Sequence, residues 1–201
     1  MRESANIQAV AELKPDLMGF IFYPKSKRYV GDNLNLSFLQ KLMPQIETVG
    51  VFVNESLEKV VEISQKYCFA FIQLHGNELP EYCNDLKNKG VKIIKAFGIH
   101  SGFDWNSLLP YQNVCDYFLF DTNTKDYGGS GRKFEWNILD KYHGAISFYL
   151  SGGIGVEDVD NILSLEHPNL AGIDINSRFE IEPGLKDVNL LKDFLNKIKT
   201  T

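Results

Sequence analysis

An α/β barrel of parallel strands is the architecture this 201-residue sequence predicts, and three features predict it. Short apolar runs alternate with amphipathic stretches from end to end. The runs are apolar on both faces and rich in β-branched and aromatic residues, as buried parallel strands are. Polar residues collect at the C-terminal end of nearly every run, in "PKSKR", "NES", "HGNE", "DTNTKDYGGSG", "SGGIG" and "NSRFE". A barrel gathers such segments around one mouth, whereas an open sheet uses mainly those at its switch point.

The elements follow in order. The chain opens "MRESANIQAVAEL". Ser4 is the predicted N-cap of a helix over 4–14, in which Ile7, Val10, Ala11 and Leu13 repeat at helical spacing. Strands are predicted at "LMGFIFY" (17–23), "TVGVFV" (48–53), "FAFIQL" (69–74), "VKIIKAF" (91–97), "DYFLFD" (116–121), "ISFYLS" (146–151) and "LAGIDI" (170–175). Between and after them, helical periodicity marks 35–43, 56–67, 79–89, a short stretch near 104–111, 134–142, 156–164 and 188–199. Gly90, after Lys87 and Lys89, is placed to end the helix over 79–89. Seven strands and eight helices result, and the unpaired element is the first helix. A closed (β/α)8 barrel has eight strands, each preceding its helix, so the expectation is a single barrel domain over 1–201 holding seven of the eight.

The composition bounds the function. A hydrophobic fraction of 44% and a charged fraction of 23% are those of an ordinary globular domain. The net charge of −5 argues against a nucleic-acid partner, because phosphate backbones favour a basic face. It leaves room for a small phosphorylated ligand. No apolar run approaches the roughly 20 residues of a membrane span, and no signal peptide is visible, so a cytoplasmic protein is expected. Cys68, Cys83 and Cys115 show neither CxxC nor metal-like spacing and read as free thiols.

Strand parity selects the candidate site. Gln73, Lys95, Asp121 and Asp174 are polar residues late in apolar strands, and in a barrel all four have the option of pointing into the mouth. Asp121 shares a face with Tyr117 and Leu119 and is suited to proton transfer, or else caps its loop. Gly128, Gly129 and Gly131 follow it in a loop that either folds over a ligand or simply turns. Gly152 and Gly153 precede a helix, where backbone N–H groups bind anions. Asn176 and Ser177 follow the next strand, and together these two loops point to a phosphate. Arg28, with Lys25 and Lys27, is suited to grip an acidic ligand. His75 shares the face of Gln73, while His100, His143 and His167 read as surface residues.

The stretches "MGFIFYPKSKRYV", "VGVFVNES", "IQLHGNE", "KAFGI", "FDTNTKDYGGSGRKFEW", "LSGGIGVEDV" and "GIDINSRFEIEPGLKD" together resemble the phosphoribosylanthranilate isomerases of tryptophan biosynthesis, in order from residue 1 to about 196. The resemblance implies a (β/α)8 barrel, no metal or organic cofactor, a small phosphorylated substrate, and a monomer or homodimer. It implies an Amadori rearrangement of N-(5-phosphoribosyl)anthranilate to 1-(2-carboxyphenylamino)-1-deoxyribulose 5-phosphate. Carried onto this sequence, Asp121 is the general acid and Arg28 the carboxylate contact. Gly152, Gly153, Asn176 and Ser177 hold the phosphate. Gln73, His75 and Asp174 line the site, and the "YGGSG" loop resembles a closing loop.

The resemblance also implies a first strand ending in a "K-x-C-G" segment whose Cys is the general base, placed just before the helix that begins "MRESANI". Neither that strand nor that Cys is in these 201 residues. Cys68 and Cys115 sit at the N-terminal ends of their strands and Cys83 in an outer helix. At about 3.3 Å per residue Cys115 falls on the order of 20 Å from Asp121. Two expectations follow. A barrel lacking a strand that buries ~300 Å² of apolar area loses ~7 kcal/mol and is fragile, or has its open edges covered by a partner chain. A site lacking its base loses about 10²–10⁴-fold in rate and is severely impaired. Two alternatives stand beside the isomerase: a non-catalytic phosphosugar-binding barrel, and another phosphosugar barrel such as indole-glycerol-phosphate synthase. The Arg28 and "FDTNTKDYGGSG" stretches fit the last of these poorly.

Overall fold

The computed structural model describes residues 1–31, 34–35, 37, 39, 46–122 and 136–199. Seven parallel strands form one sheet in sequence order: β1 (Leu17–Ile21), β2 (Glu47–Phe52), β3 (Phe71–Leu74), β4 (Ile93–Gly98), β5 (Tyr117–Asp121), β6 (Phe148–Ser151) and β7 (Leu170–Ile173). Among the described residues β1 and β7 each pair with a single neighbour. A two-stranded antiparallel hairpin, β8 (Glu180–Glu182) and β9 (Leu185–Lys186), follows the sheet. Helices α1 (Ser4–Ala11), α2 (Leu57–Tyr67), α3 (Pro80–Asn88), α4 (Val159–Leu163) and α5 (Val188–Lys199) complete the chain. None of the described helices is long and apolar enough to cross a membrane.

The period of two along each strand divides the core in two. Val49, Val51, Phe71, Ile94, Ala96 and Leu119 face the concave side and pack together with Leu17, Ile21, Tyr117 and Tyr149. The alternate residues Phe20, Phe52, Ile72, Leu74, Ile93, Phe118, Phe120, Phe148 and Leu150 pack outward under the helices. Gly50 leaves room on the outer side, since a Cβ there would lie 2.8 Å from the ring of Phe69.

The sequence places all seven strands of the parallel sheet, with ends shifted by at most two residues, and misses the β8–β9 hairpin. Local chemistry departs from expectation in four places. The residue capping α1 is Glu3, with Ser4 as the first helical residue, and the Glu3 side chain makes no cap hydrogen bond. The stretches near 104–111 and 134–142 are 3-10 helices over Trp105–Tyr111 and Trp136–Lys141. The first of these carries Pro110 inside it, and Pro cannot donate to an α-helical ladder. The helix over 156–164 starts as a 3-10 turn and becomes α-helical only at Val159. His167 is a packing residue: its Nε2 lies 3.2 Å from the Tyr142 carbonyl, and its ring stacks on Tyr142. Gly90 adopts φ +80° just past α3, and its N–H donates to the Lys87 carbonyl, as expected of a helix-ending glycine. The expected helix over 35–43 falls mostly outside the described residues.

One side chain joins the start of the chain to its end. Asn6, buried in α1, donates to the Lys186 carbonyl at 2.9 Å and accepts from the Lys186 N–H at 2.8 Å. It pairs both backbone groups of β9 that face the helix. Asn6→Ala strands two buried polar groups, at a cost of about 2–3 kcal/mol. Thermal unfolding is therefore expected to show a Tm lower by about 5–10 °C for a domain of this size. An unchanged Tm would show that water replaces the amide.

Candidate active site

The strand register sets Asp121 and Ser151 at one level. Gly98 of β4 lies opposite Asp121 of β5, and Asp121 lies opposite Ser151 of β6. Asp121, two residues beyond Leu119, keeps the concave face of β5 and turns its carboxylate into the mouth. Gln73, two residues beyond Phe71, does the same on β3. His75 continues that face one step past the strand, its N–H donating to the Phe52 carbonyl at 2.8 Å.

These side chains form a short relay. The amide nitrogen of Gln73 lies 2.9 Å from His75 Nδ1. An amide NH2 donates, so Nδ1 accepts, and the ring hydrogen is left on Nε2. Nε2 lies 3.4 Å from Asp121 Oδ2. The ring thus presents its Nε2–H to the carboxyl group that ends β5. Beside it, the Ser151 hydroxyl donates to Asp174 Oδ2 at 3.1 Å. Burial pushes the Asp174 carboxyl above its usual value, and the Asp121 charge adds to the shift. The Ser151 hydrogen bond, His75 and Lys186 oppose it.

Arg28 is already engaged. Its Nε donates to both carboxylate oxygens of Glu180, at 3.0 and 2.8 Å, and its Nη2 reaches Oε2 at 2.6 Å. This is the fork geometry by which guanidinium binds carboxylates, and it leaves the Nη1 edge directed away from Glu180. The Glu180 side chain is 4% exposed, and Arg28 is 26% exposed. Burial alone would raise the Glu180 carboxyl. Arg28, Lys186 and the Gly184 N–H outweigh it and hold the group below the ordinary carboxylate value.

Gly152 and Gly153 follow β6 at φ +109° and +68°, a region open to glycine at little cost. Open space lies where a Cβ on Gly153 would stand. The Gly155 N–H at the start of the following helix is taken by the Asp158 carboxylate at 2.9 Å, so the anion-binding role suggested for that loop rests on the glycines. Asn176 precedes a 3-10 turn over Ser177–Phe179. Both its carbonyl and its side-chain oxygen accept from Lys186 Nζ, at 2.8 and 2.5 Å.

The structure therefore brings Gln73, His75, Asp121 and Asp174 together and ties Arg28, in the loop after β1, to Glu180 of the hairpin. Gly152, Gly153, Asn176 and Ser177 lie on the loops after the two adjacent strands β6 and β7. One parity assignment fails. Lys95 pairs in register with Leu74 and Phe118, both outward-facing, and its ammonium group lies behind the sheet. Glu180 and Lys186 carry no sequence signal of their own. They sit in "FEIEPGLKD", where only the pairing with a distant Arg reveals them. Gly128, Gly129 and Gly131 lie outside the described residues. The Cys positions agree with expectation: Cys68 and Cys115 precede β3 and β5, and Cys83 is in α3. Among the described residues, no three His, Cys, Asp or Glu are grouped to hold a metal ion.

Comparison with known proteins decides the family. The family model of N-(5'-phosphoribosyl)anthranilate isomerase matches residues 1–197. The chain belongs to the phosphoribosylanthranilate isomerase family. The family's members are isomerases of tryptophan biosynthesis. The N-(5'-phosphoribosyl)anthranilate isomerase of Parabacteroides distasonis is 46% identical over 98% of this chain and 90% of that relative. Among solved structures, the Thermotoga maritima enzyme superposes with a TM-score of 0.85 at 32% identity, covering 100% of this chain and 96% of that one. A further structure of that enzyme describes it as dimeric. Another phosphoribosylanthranilate isomerase structure, holding reduced 1-(o-carboxyphenylamino)-1-deoxyribulose 5-phosphate, gives a TM-score of 0.78 at 28% identity, with 100% of this chain and 96% of that chain covered.

In this phosphoribosylanthranilate isomerase, Asp174 has a direct stability consequence. Its folded pKa is raised, so its favourable contribution is complete below the unfolded value of about 3.9 and is lost as pH rises through the raised value. Asp174→Asn is expected to raise the Tm at pH 7, with the gain shrinking toward zero near pH 4. Thermal melts across that range check it, and a gain that grows on acidification would contradict the burial argument.

Proposed function

We propose that this mouth carries out the Amadori rearrangement of N-(5-phosphoribosyl)anthranilate to 1-(2-carboxyphenylamino)-1-deoxyribulose 5-phosphate, with no metal or organic cofactor. The observation that carries the proposal is the Asp121 carboxyl at the end of β5, with the Nε2–H of His75 aimed at one of its oxygens. Asp121 gives its proton to the ribose ring oxygen, the C1–O bond breaks, and the sugar opens to an iminium. The new carboxylate then accepts from His75, which stabilises the charge left behind. A base removes the C2 proton, the electrons neutralise the iminium, and the resulting enolamine tautomerises to the ketose.

The remaining roles follow from charge. Arg28, held by Glu180 through Nε and Nη2, takes the anthranilate carboxylate on its Nη1 edge. Gly152, Gly153, Asn176 and Ser177 take the phosphate through backbone groups, with the Lys186 ammonium behind Asn176 as the nearby positive charge. Gln73 and Asp174 line the space between, and the ligand bound in the related complex is of this chemical class.

None of Cys68, Cys83 and Cys115 suits the base. Cys83 and Cys115 are buried on the outer side, and Cys68 is exposed at the end of α2. The base in this reading is the one the resemblance implies, a Cys at the end of a "K-x-C-G" strand. A turnover assay compares this sequence with one extended N-terminally by such a strand. Activity in the extended form, lost by about 10²–10⁴-fold in Asp121→Asn, is the expected result. Equal activity in both forms would show that another group serves as base. Binding of the phosphorylated substrate without turnover in either would favour the non-catalytic phosphosugar-binding barrel.

A further inference from the structure

Lys95 is the polar strand residue that the mouth does not use. Its side chain is 3% exposed and forms an ion pair with the equally buried Glu78, Nζ to Oε2 at 3.3 Å. The pair lies between sheet and helices, next to Phe97, whose ring centroid is 5.1 Å from Nζ. A buried ion pair seldom stabilises a fold more than apolar residues of the same volume would, because desolvation offsets the attraction. The hydrogen bonds it makes are therefore informative, and they converge on one place.

Lys95 Nζ donates to the Gly76 carbonyl at 2.8 Å and to the Leu74 carbonyl at 3.4 Å, on either side of His75, as well as to the Ala96 carbonyl at 2.9 Å. Glu78 accepts from the Gly76 N–H at 3.0 and 3.2 Å and from the Asn54 N–H at 2.8 Å. Asn54, at φ +50°, accepts in turn from the Asn77 N–H at 2.7 Å. The Asn54 and Glu78 side chains crowd Gly76 so closely that a Cβ on it would lie 2.4 Å from Asn54 Oδ1 and 2.7 Å from Glu78 Oε1. The Tyr111 hydroxyl fixes the Glu78 carbonyl at 3.0 Å. His75 thus sits in a segment gripped from behind by a cation and an anion, while its ring works on the other face of the sheet.

We infer that Lys95 and Glu78 are positioning residues whose ion pair behind the sheet holds the His75 ring in register with the Asp121 carboxyl. The inference rests on the role proposed above for Asp121. It explains why charge is buried in an otherwise apolar layer, and why "QLHGNE" and "KAF" occur in one chain. The two segments build opposite halves of one clamp.

The test replaces the pair without leaving an unpaired charge. Lys95→Met with Glu78→Gln keeps the bulk, and the Gln retains an acceptor for the Asn54 and Gly76 N–H groups. His75→Asn is made alone and in combination. In the form that turns over substrate, the double substitution is expected to lower kcat by ~10–100-fold with KM changed less than about twofold, as displacement of a reacting geometry does. In the His75→Asn background the same substitution is expected to cost little more, because the pair acts through the ring. Nitrogen NMR of the His75 ring in the 201-residue protein is expected to show the Nε2–H tautomer giving way to a mixture.

Losses that add across the His75→Asn background would overturn the inference, and so would a changed Tm with unchanged kcat and unchanged tautomer. The NMR arm needs no substrate. A tautomer shift without turnover in any form would uphold the clamp and sink the reaction assigned to Asp121.

Discussion

The Glu180 carboxylate is the constraint on which the mouth depends. It accepts from Arg28, Lys186 and the Gly184 N–H, three groups contributed by the loop after β1, by β9 and by the turn between β8 and β9. Arg28 and Glu180 are 152 residues apart. Their bond joins the first described loop of the sheet to the hairpin that follows its last strand. Without a counter-charge, two cations would face each other across a partly buried space, which electrostatics strongly disfavours. With one, the same two cations become fixed points: Arg28 with its Nη1 edge turned away from Glu180, and Lys186 behind Asn176. Assembly of the site and closure of the chain's two ends are thus one event.

The sequence reveals most clearly what depends on nearest neighbours along the chain. Alternation in "FIQLH" and "FLFD" is enough to put Gln73, His75 and Asp121 on the concave face, because side-chain direction along a strand has a period of two. The same reasoning fails for Lys95. Its strand is apolar on both faces, so parity depends on the register with Leu74 and Phe118, and sequence supplies no register. Glu180 and Lys186 were illegible for a related reason, since each matters only through a partner brought near by folding. The 3-10 turns over Trp105–Tyr111 and Trp136–Lys141 preserve the buried positions an α-helix would give, with Leu108 and Leu139 both enclosed, so hydrophobic spacing alone does not tell the two helix types apart.

The site also shows where the fold gives up stability. Asp174 is a carboxyl held in surroundings that favour its neutral form, opposite Ser151 and near a second carboxyl. An apolar residue would suit the barrel wall better, as Leu119 and Ala96 do lower down. Polar groups are kept at the strand ends because the mouth needs them, and the cost is met by the densely packed aromatic layer outside the sheet. There Phe118, Phe120, Phe148 and Tyr142 stack edge to face and at tilted angles, with ring centroids 4.6–6.3 Å apart.

A parallel sheet with both faces covered has no solvent side on which to anchor a catalytic loop, so a loop at the strand ends must be held from the mouth or from behind. Holding it from the mouth would occupy the space a substrate needs. Behind the sheet the space is apolar, and only a mutually neutralising pair can enter it at a tolerable cost. Lys95 and Glu78 meet that requirement, and their geometry reaches the carbonyls before and after His75. The division of labour follows from the pleat itself. Gln73 and Asp121 point inward and act on the ring, whereas Lys95 points outward and acts on the backbone that carries it. A single strand order, read on its two faces, supplies both the group that touches the acid and the device that keeps it there.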